Sequence, residues 1–175
     1  MTPLLKLLLR ALIKGPVTEA APDKQDVKAL ADQIDGKAMA KLGRSLVVRA
    51  VDAGSCNGCE LEIHALCNPL YDIERFGIHF AASPRHADLL LVTGPVARNM
   101  AEALRRTYDA TPAPKFVVAM GDCAIDGGCF KGGYATLDGV DKVVPVDMRV
   151  PGCPPKPNDI LKALLALMDK VSGKS

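Results

Sequence analysis

Four cysteines in the sequence follow hydrophobic, β-branched segments, in a pattern that suits a metal centre. Cys56 and Cys59 form a Cys-x-x-Cys pair, whereas Cys123 and Cys153 are isolated residues far downstream. Ligands of open α/β sheets bind in loops at the carboxyl ends of the strands, so these thiols are expected to meet there. Structural zinc sites usually pair their ligands as two short clips. One clip and two isolated cysteines, the last followed by proline as in bacterial ferredoxin motifs, therefore favour an iron–sulfur cluster.

A bound flavin or nucleotide is the alternative for a sheet of this kind. The loop around Cys56 contains Gly54 and Gly58, but it has neither a Gly-x-Gly-x-x-Gly fingerprint nor a Walker A lysine. We expect both glycines to let the backbone turn tightly and approach an inorganic cluster. The visible spectrum distinguishes the candidates, because flavin gives resolved yellow bands, an iron–sulfur centre gives a broad brown shoulder and zinc gives neither.

Two further cysteines, Cys67 and Cys129, lie near the candidate ligands without repeating their pattern. Free cysteines are commonly buried and behave as small hydrophobic residues. Both are therefore predicted to be buried non-ligands. Two spare thiols cannot complete a second four-cysteine site, so the chain is expected to hold one cluster.

Two carboxylates, Glu60 and Glu62, directly follow the Cys-x-x-Cys pair. One interpretation is a proton relay coupled to electron transfer, which makes them candidate catalytic residues. The other is that acidic side chains in the first turn of a helix complement its dipole. The sequence alone leaves both interpretations open.

Composition excludes several classes of protein. The 175 residues carry 22 basic and 20 acidic side chains, with 49% hydrophobic and only 4% aromatic residues. A single globular domain is expected, without the basic surface or stacking platforms of nucleic-acid-binding proteins, so no nucleic-acid partner is predicted. Six cysteines without a secretory signal indicate a reducing compartment. No apolar run reaches the ~20 residues of a membrane span.

The first segment, residues 3–14, has the periodicity of an amphipathic helix. Leucine and isoleucine fall on one broad face, and Lys6, Arg10 and Lys14 line up on the other. The helix either packs on its own domain or lies at a membrane surface or in a groove of a membrane partner. Residues 15–22 are typical of a linker, which favours the second interpretation because a linker detaches the helix.

A polar helix at residues 23–42 follows, and the sequence divides into residues 1–44 and a domain at residues 45–175. Hydrophobic runs alternate with helical patterns in this domain. Strands are predicted at residues 45–50, 77–81, 88–93, 115–120 and 142–146, and the clearest helices at residues 99–108 and 157–171. This alternation indicates an α/β fold with a mostly parallel sheet. The candidate ligands then follow strands one, four and five.

Seven segments together resemble the small-subunit family shared by membrane-bound, energy-converting nickel-iron hydrogenases and the homologous B subunit of respiratory complex I. They are residues 54–60, 71–76, 83–88, 93–96, 121–123, 142–147 and 151–155. The resemblance covers residues 45–175 and implies a flavodoxin-like parallel sheet with helices on both faces. It also implies that Cys56, Cys59, Cys123 and Cys153 ligate one 4Fe-4S cluster next to the active site of a partner large subunit.

The chain is more similar to the hydrogenase branch of this family. Complex I members carry two adjacent cysteines where this sequence has the spaced pair Cys56 and Cys59. Residues 164–175 lack the additional cysteines that bind further clusters in uptake hydrogenases. Electrons are therefore expected to pass to a separate ferredoxin-like subunit, as in formate hydrogenlyase.

The resemblance thus implies the iron–sulfur subunit of an oxidoreductase complex, a membrane-associated nickel-iron hydrogenase. The chain would lie peripherally on the cytoplasmic side of the inner membrane, with its N-terminal helix docked on a membrane-embedded subunit. One alternative is a complex I-type or hydrogenase-related quinone oxidoreductase subunit. The other is a metal-stabilised interaction module without a redox role, which a redox-silent purified protein would indicate.

Overall fold

A parallel sheet of five strands forms the centre of the protein in a computed structural model that describes residues 3–15 and 21–172. Its strands are β1 (Leu46–Asp52), β2 (Ile78–Phe80), β3 (Leu89–Thr93), β4 (Phe116–Met120) and β5 (Met148–Val150). The order β2-β1-β3-β4-β5, with every neighbouring pair parallel, is that of flavodoxin-like folds. The predicted fold class is confirmed.

Helices cover both faces of the sheet. The described helices are α1 (Pro3–Lys14), α2 (Lys24–Leu42), α3 (Gly58–Leu66), α4 (Ala101–Ala110), α5 (Asp122–Asp126) and α6 (Pro157–Ser172). Helices α2, α3 and α6 pack on one face and α4 and α5 on the other, forming two hydrophobic clusters. All side chains of β3 are buried, because a parallel sheet is covered on both sides.

Helix α2 shares the core of the sheet although it lies within the predicted N-terminal segment 1–44. Its residues Val27, Ala31, Ile34 and Ala38 are buried, and the helix packs along α6. Asp23 caps its start by accepting a hydrogen bond from the Gln25 amide at 2.8 Å. The packed unit therefore includes α2, and only α1 and the linker lie apart from it in sequence.

The predicted fifth strand at residues 142–146 is wrong. This hydrophobic run does not enter the sheet, because Val144 is buried in the cluster on the α4 and α5 face. The chain joins the sheet at Asp147, whose amide donates to the Val117 carbonyl at 2.9 Å. Strand β5 follows directly, so Cys153 still comes after the fifth strand, as predicted. The other four strands and the two helices lie within two residues of their predicted positions.

Helix α1 forms where the sequence predicts it and buries none of its side chains. Leu12 and Ile13 are 82% and 81% exposed. Packing of this helix on its own domain is therefore not observed. The predicted linker is largely outside the described residues, since only its ends, Gly15 and residues 21–22, are described. Within the part of the chain that the structure describes, no helix is long and apolar enough to cross a membrane.

Candidate metal centre

The four predicted ligands lie in loops at the carboxyl end of the sheet. Cys56 and Cys59 follow β1, Cys123 lies in the first turn of α5 after β4, and Cys153 follows β5. Burial, the Glu60 charge and the three other thiols, in that order, raise the pKa of Cys59 to about 12, so the four thiols are within electrostatic reach of one another. Such a group resists becoming a set of free thiolates and gains strongly from a bound cation.

The loops of the two isolated cysteines, Cys123 and Cys153, are joined by a pair of hydrogen bonds, here called the seam. The Asp122 amide donates to the Gly152 carbonyl at 2.9 Å, and the Gly152 amide donates to Asp122 Oδ1 at 2.8 Å. The seam extends the pairing of β4 and β5 beyond the strands. It therefore fixes the relative positions of two predicted ligands that are distant in the sequence.

Gly121 leaves the space that the Cys59 thiol occupies. Its φ is 89°, in the left-handed region, and a Cβ at this position would lie 2.7 Å from Cys59 Sγ. The Gly121 amide donates to the Val150 carbonyl at 2.8 Å, so the backbone cannot easily move away. This close approach of glycine to sulfur brings the loop after β1 against the loop after β4.

Asp52 folds the loop that carries the Cys-x-x-Cys pair. Its Oδ1 accepts hydrogen bonds from the amides of Gly54 and Ser55, both at 2.8 Å. Gly54 has φ 99°, which confirms the predicted turn there. The second turn is wrongly predicted at Gly58, because Asn57 takes the left-handed conformation (φ 70°) and Gly58 is already the first residue of α3. Asparagine tolerates this conformation better than most residues.

The donor set fits an iron–sulfur cluster better than a single ion. Among residues 3–15 and 21–172, no three Cys, His, Asp or Glu side chains are close enough to hold one metal ion. Zinc binds sulfur at about 2.3 Å, which requires its ligands to crowd together. Four thiols that act on one another electrostatically are the soft donor set of a polynuclear cluster in which each iron takes one cysteine.

The site opens onto the protein surface. Cys56 and Cys153 are exposed, whereas Cys59 and Cys123 are half-buried. Leu61, two residues after the Cys-x-x-Cys pair, is 62% exposed.

The Glu60 carboxylate accepts hydrogen bonds from two hydroxyl groups beside the site. Its Oε2 accepts from Ser55 Oγ at 2.6 Å, and its Oε1 accepts from Thr93 Oγ. These contacts join the loop after β1 to the end of β3. Glu62 instead lines a cavity of about 420 Å³ together with Tyr71 and Pro154. The two carboxylates are thus in different surroundings, and their predicted proton transfer stays a prediction.

Cys67 is exposed rather than buried, which corrects the prediction. It follows the last residue of α3 and lines a cavity of about 290 Å³ with His64 and Glu74. Partial desolvation of the thiol by its neighbours and, second, the Glu74 charge raise its pKa. It is not among the groups that act on the thiols of Cys59 and Cys123.

Cys129 is also exposed rather than buried, and its charge acts on a predicted ligand, Cys123. Burial, the Cys129 charge, the Cys153 charge and the polar Cys129 side chain, in that order, raise the pKa of Cys123 to about 11. This effect is not predicted from the sequence. The signal available for it is the Gly-Gly pair at residues 127–128, which allows the chain to reverse direction directly after α5.

Residues 56–167 match the family model of the NADH ubiquinone oxidoreductase 20 kDa subunit. The match begins at the first cysteine of the clip and includes all four predicted ligands. The parallel sheet with cysteines at its carboxyl end is thus of the class found in the small subunits of redox complexes. The chain belongs to this family.

Relatives come from both branches of the family. The probable membrane-bound hydrogenase subunit MbhJ of Pyrococcus furiosus is 47% identical over 131 residues, covering 75% of this chain and 78% of the relative. The B subunit of the NADH-quinone oxidoreductase of Mycolicibacterium vanbaalenii is 51% identical over 114 residues, covering 65% of this chain and 61% of that protein. Identity alone therefore does not assign the chain to one branch.

Solved structures show the same fold. A chain of the membrane-bound sulfane sulfur reductase, an archaeal respiratory membrane complex, has a TM-score of 0.68 and 34% identity, with 80% of this chain and 76% of that one covered. A chain of an NAD+-reducing nickel-iron hydrogenase has a TM-score of 0.57 and 21% identity, covering 73% of this chain and 93% of that one. The second likeness concerns the fold alone.

Proposed function

We propose that the chain is the electron-transfer subunit of a membrane-associated nickel-iron hydrogenase complex. It would hold one 4Fe-4S cluster on Cys56, Cys59, Cys123 and Cys153. The convergence of these four thiols at the carboxyl end of the sheet carries the proposal. When bound, such a cluster accepts and releases single electrons. Its route would run between the active site of a large subunit and a separate ferredoxin-like subunit.

The protein groups around the thiols hold them ready for iron. The seam between Asp122 and Gly152 keeps Cys123 and Cys153 in register. Gly121 allows Cys59 to approach the β4 loop, and burial on that side restricts water. Preorganised ligands lose less freedom on binding, so cluster retention is favoured.

A large subunit is the partner proposed for the open side of the site. Cys56, Cys153 and Leu61 are exposed there, and electron transfer needs the cluster close to the partner's active site. The relatives support this assignment, because both named relatives are subunits of larger assemblies.

Helix α1 is proposed to dock on a membrane-embedded subunit and so hold the complex on the cytoplasmic side of the membrane. Its apolar face is exposed, and its opposite face carries Lys6, Arg10 and Lys14. Deleting residues 1–14 should release the small and large subunits into the soluble fraction with cluster content intact. Fractionation of cell membranes checks this result, and unchanged membrane association would reject the docking role of α1.

A quinone-reducing complex is the second candidate. It is favoured by the 51% identity to the B subunit of an NADH-quinone oxidoreductase. The spaced cysteines Cys56 and Cys59 favour the hydrogenase instead. A neighbouring large-subunit gene that encodes two Cys-x-x-Cys pairs would identify a nickel site. Absence of these two pairs from the large subunit would favour the quinone reductase.

Anaerobic reconstitution of the full chain with iron and sulfide tests the cluster itself. We expect about four irons per chain, a broad brown absorbance and an EPR signal after reduction. Replacing Cys56, Cys59, Cys123 or Cys153 by serine should remove or convert the centre, because a hydroxyl is a poor substitute for a soft thiolate. Cys67→Ala is the matched control and should keep both signals. A redox-silent wild-type protein would support the non-redox interaction module.

A further inference from the structure

Helix α1 exposes apolar side chains around most of its circumference. At about 100° per residue, its leucine, isoleucine and alanine side chains cover an arc of about 240°. All of the leucines and the isoleucine are exposed, from 40% at Leu9 to 82% at Leu12, and the helix buries none of its residues. A helix that packs on one protein surface needs an apolar stripe of only about 100°. A docking surface on one side of α1 therefore leaves other apolar side chains uncovered.

The rest of the α1 circumference is a narrow stripe of positive charge. Lys6, Arg10 and Lys14 recur at every fourth residue, which places them within an arc of about 80°. Residues 3–14 include no acidic side chain. Within the part of the chain that the structure describes, no carboxylate pairs with any of the three cations. The stripe is therefore complementary to a surface of negative charge.

The apolar arc of α1 lacks the residues that usually specify a protein partner. It consists of six leucines, one isoleucine and one alanine, without any aromatic side chain. Residues that dominate protein interfaces are enriched in tryptophan, tyrosine and arginine, whereas leucine is under-represented among them. Uniform aliphatic side chains suit the fluid hydrocarbon of a bilayer, which has no fixed shape to match. The uncovered part of the arc thus fits lipid better than a second protein.

The length of α1 determines how it can lie in a bilayer. The helix has 12 residues and is about 18 Å long, against about 30 Å for the hydrocarbon core of a bilayer. It must therefore lie along the surface, with its apolar arc at the acyl boundary and its stripe among the headgroups. We propose that Lys6, Arg10 and Lys14 bind the phosphates of anionic phospholipids beside the membrane-embedded subunit. This inference deepens the docking proposed for α1 and rests on it.

Cosedimentation of the full chain with lipid vesicles tests the lipid contact. Vesicles of equal parts phosphatidylglycerol and phosphatidylcholine should bind the chain about 100-fold more tightly than pure phosphatidylcholine, since each of three basic side chains contributes about fivefold. Replacing Lys6, Arg10 and Lys14 together by glutamine preserves helix propensity and should remove this difference. High salt should weaken binding of the wild-type chain to the anionic vesicles, because it screens exposed charges.

The matched control replaces three exposed basic residues outside α1, Lys28, Arg105 and Lys162, by glutamine. This change lowers the net charge by the same amount and should leave binding to anionic vesicles near that of the wild type. Replacing Leu8 and Leu12 by glutamine keeps the stripe but interrupts the apolar arc. This variant should lose binding to both kinds of vesicle, because charge alone does not hold a helix at the acyl boundary.

Equal binding of the wild-type chain to the two kinds of vesicle, or an unchanged difference after the stripe is neutralised, would overturn the inference. An equal loss in the control would assign the effect to net charge and overturn it as well. A chain that needs residues 1–14 to stay on cell membranes but binds no vesicle would overturn the lipid contact and leave the docking on a membrane-embedded subunit intact. Retention on cell membranes after deletion of residues 1–14 would instead reject the docking and, with it, this inference.

Discussion

The two ends of the parallel sheet are held together by different chemistry. At the amino end, Asp88 precedes β3 and Asp147 precedes β5, and each carboxylate accepts from a backbone amide of the neighbouring strand. The amides are those of Val47 at 3.0 Å and Val117 at 2.8 Å. At the carboxyl end, the loops instead bring four thiols together, and glycines such as Gly121 leave the space that these thiols occupy.

The carboxylates at the amino end have hydrogen-bond donors within the chain, whereas the thiols at the carboxyl end are stabilised only when they bind a metal centre. The amino end pairs acceptors with donors of the same chain, and the Asp88 side chain is only 4% exposed. The carboxyl end concentrates side chains that raise the pKa of Cys59 and Cys123. Stability is therefore expected to come from the amino end, and ligand binding from the carboxyl end.

The largest effect is expected from Gly121→Ala at the carboxyl end. The new Cβ would lie 2.7 Å from Cys59 Sγ, and φ at this residue is 89°, so both the ligand and the backbone must shift. The variant should lose most of its iron after reconstitution, measured by iron content and brown absorbance.

Gly36→Ala is the control for this prediction. Gly36 lies in α2, where an added Cβ would meet no atom within 4 Å apart from its chain neighbours and the backbone of its own helix, and its φ is ordinary. This change should keep the cluster and stabilise the helix by about 0.5–1 kcal/mol. A full complement of iron in Gly121→Ala would contradict the close fit proposed for the carboxyl end.

The carboxylates Glu60 and Glu62 test whether the carboxyl end also moves protons. Glutamine at either position keeps the shape but cannot ionise. A proton relay predicts that one of the two variants loses at least about tenfold in turnover of the assembled complex. Its cluster should still be reduced normally by dithionite. Wild-type turnover in both variants would leave Glu60 with its structural contacts to Ser55 and Thr93 only.

Asp88→Asn tests the amino end. The Asp88 carboxylate accepts from the Val47 amide and pairs with Arg44 at 2.6 Å, so the change should reduce the free energy of unfolding by about 1–3 kcal/mol. Urea denaturation measures this effect, and iron content should stay near wild type. Glu102→Gln, in an exposed pair with Arg106 on α4, should cost no more than about 0.5 kcal/mol. Equal losses in the two variants would show that the buried carboxylate has no special role.

The smallest expected effect is a loss of folding stability at alkaline pH, which arises from the thiols at the carboxyl end. Burial is the largest cause that raises the pKa of Cys59 from 9.0 to about 12 and the pKa of Cys123 from 9.0 to about 11 in the folded, metal-free chain. Folding is therefore not penalised below pH 9.0 and loses stability as the pH rises toward 11 to 12. Urea midpoints at about pH 8 and about pH 10 measure this loss. The double variant Cys59→Ala and Cys123→Ala should show a smaller decline, and an equal decline would assign the effect to other groups.

The sequence predicts where the four cysteines meet better than it predicts the segments around them. Each of the four cysteines follows a strand in a parallel sheet, so topology alone brings them to one end. The run at residues 142–146 misleads because a buried β-branched segment looks the same whether it lies in a sheet or packs on its face. Asp147 ends that run and provides the polar pairing with Val117 that begins β5.

Details that depend on single backbone conformations are beyond the reach of sequence patterns. The left-handed turn falls on Asn57 although Gly58 is the more permissive residue, because α3 already begins at Gly58. The electrostatic effect of Cys129 on Cys123 depends on two successive left-handed glycines, which turn the chain back after α5. Neither feature changes the hydrophobic periodicity, which is the main signal in a single sequence.

The exposure of Cys56 and Cys153 has a consequence for the order of assembly. If a large subunit covers this side of the chain, as proposed, iron and sulfide can reach these two thiols only while the chain is still alone. The seam already joins the loops of Cys123 and Cys153 at that stage, so a protein that delivers iron would find these two cysteines in position. Maturation of the centre must then precede docking, and a chain that docks empty would be trapped without its metal.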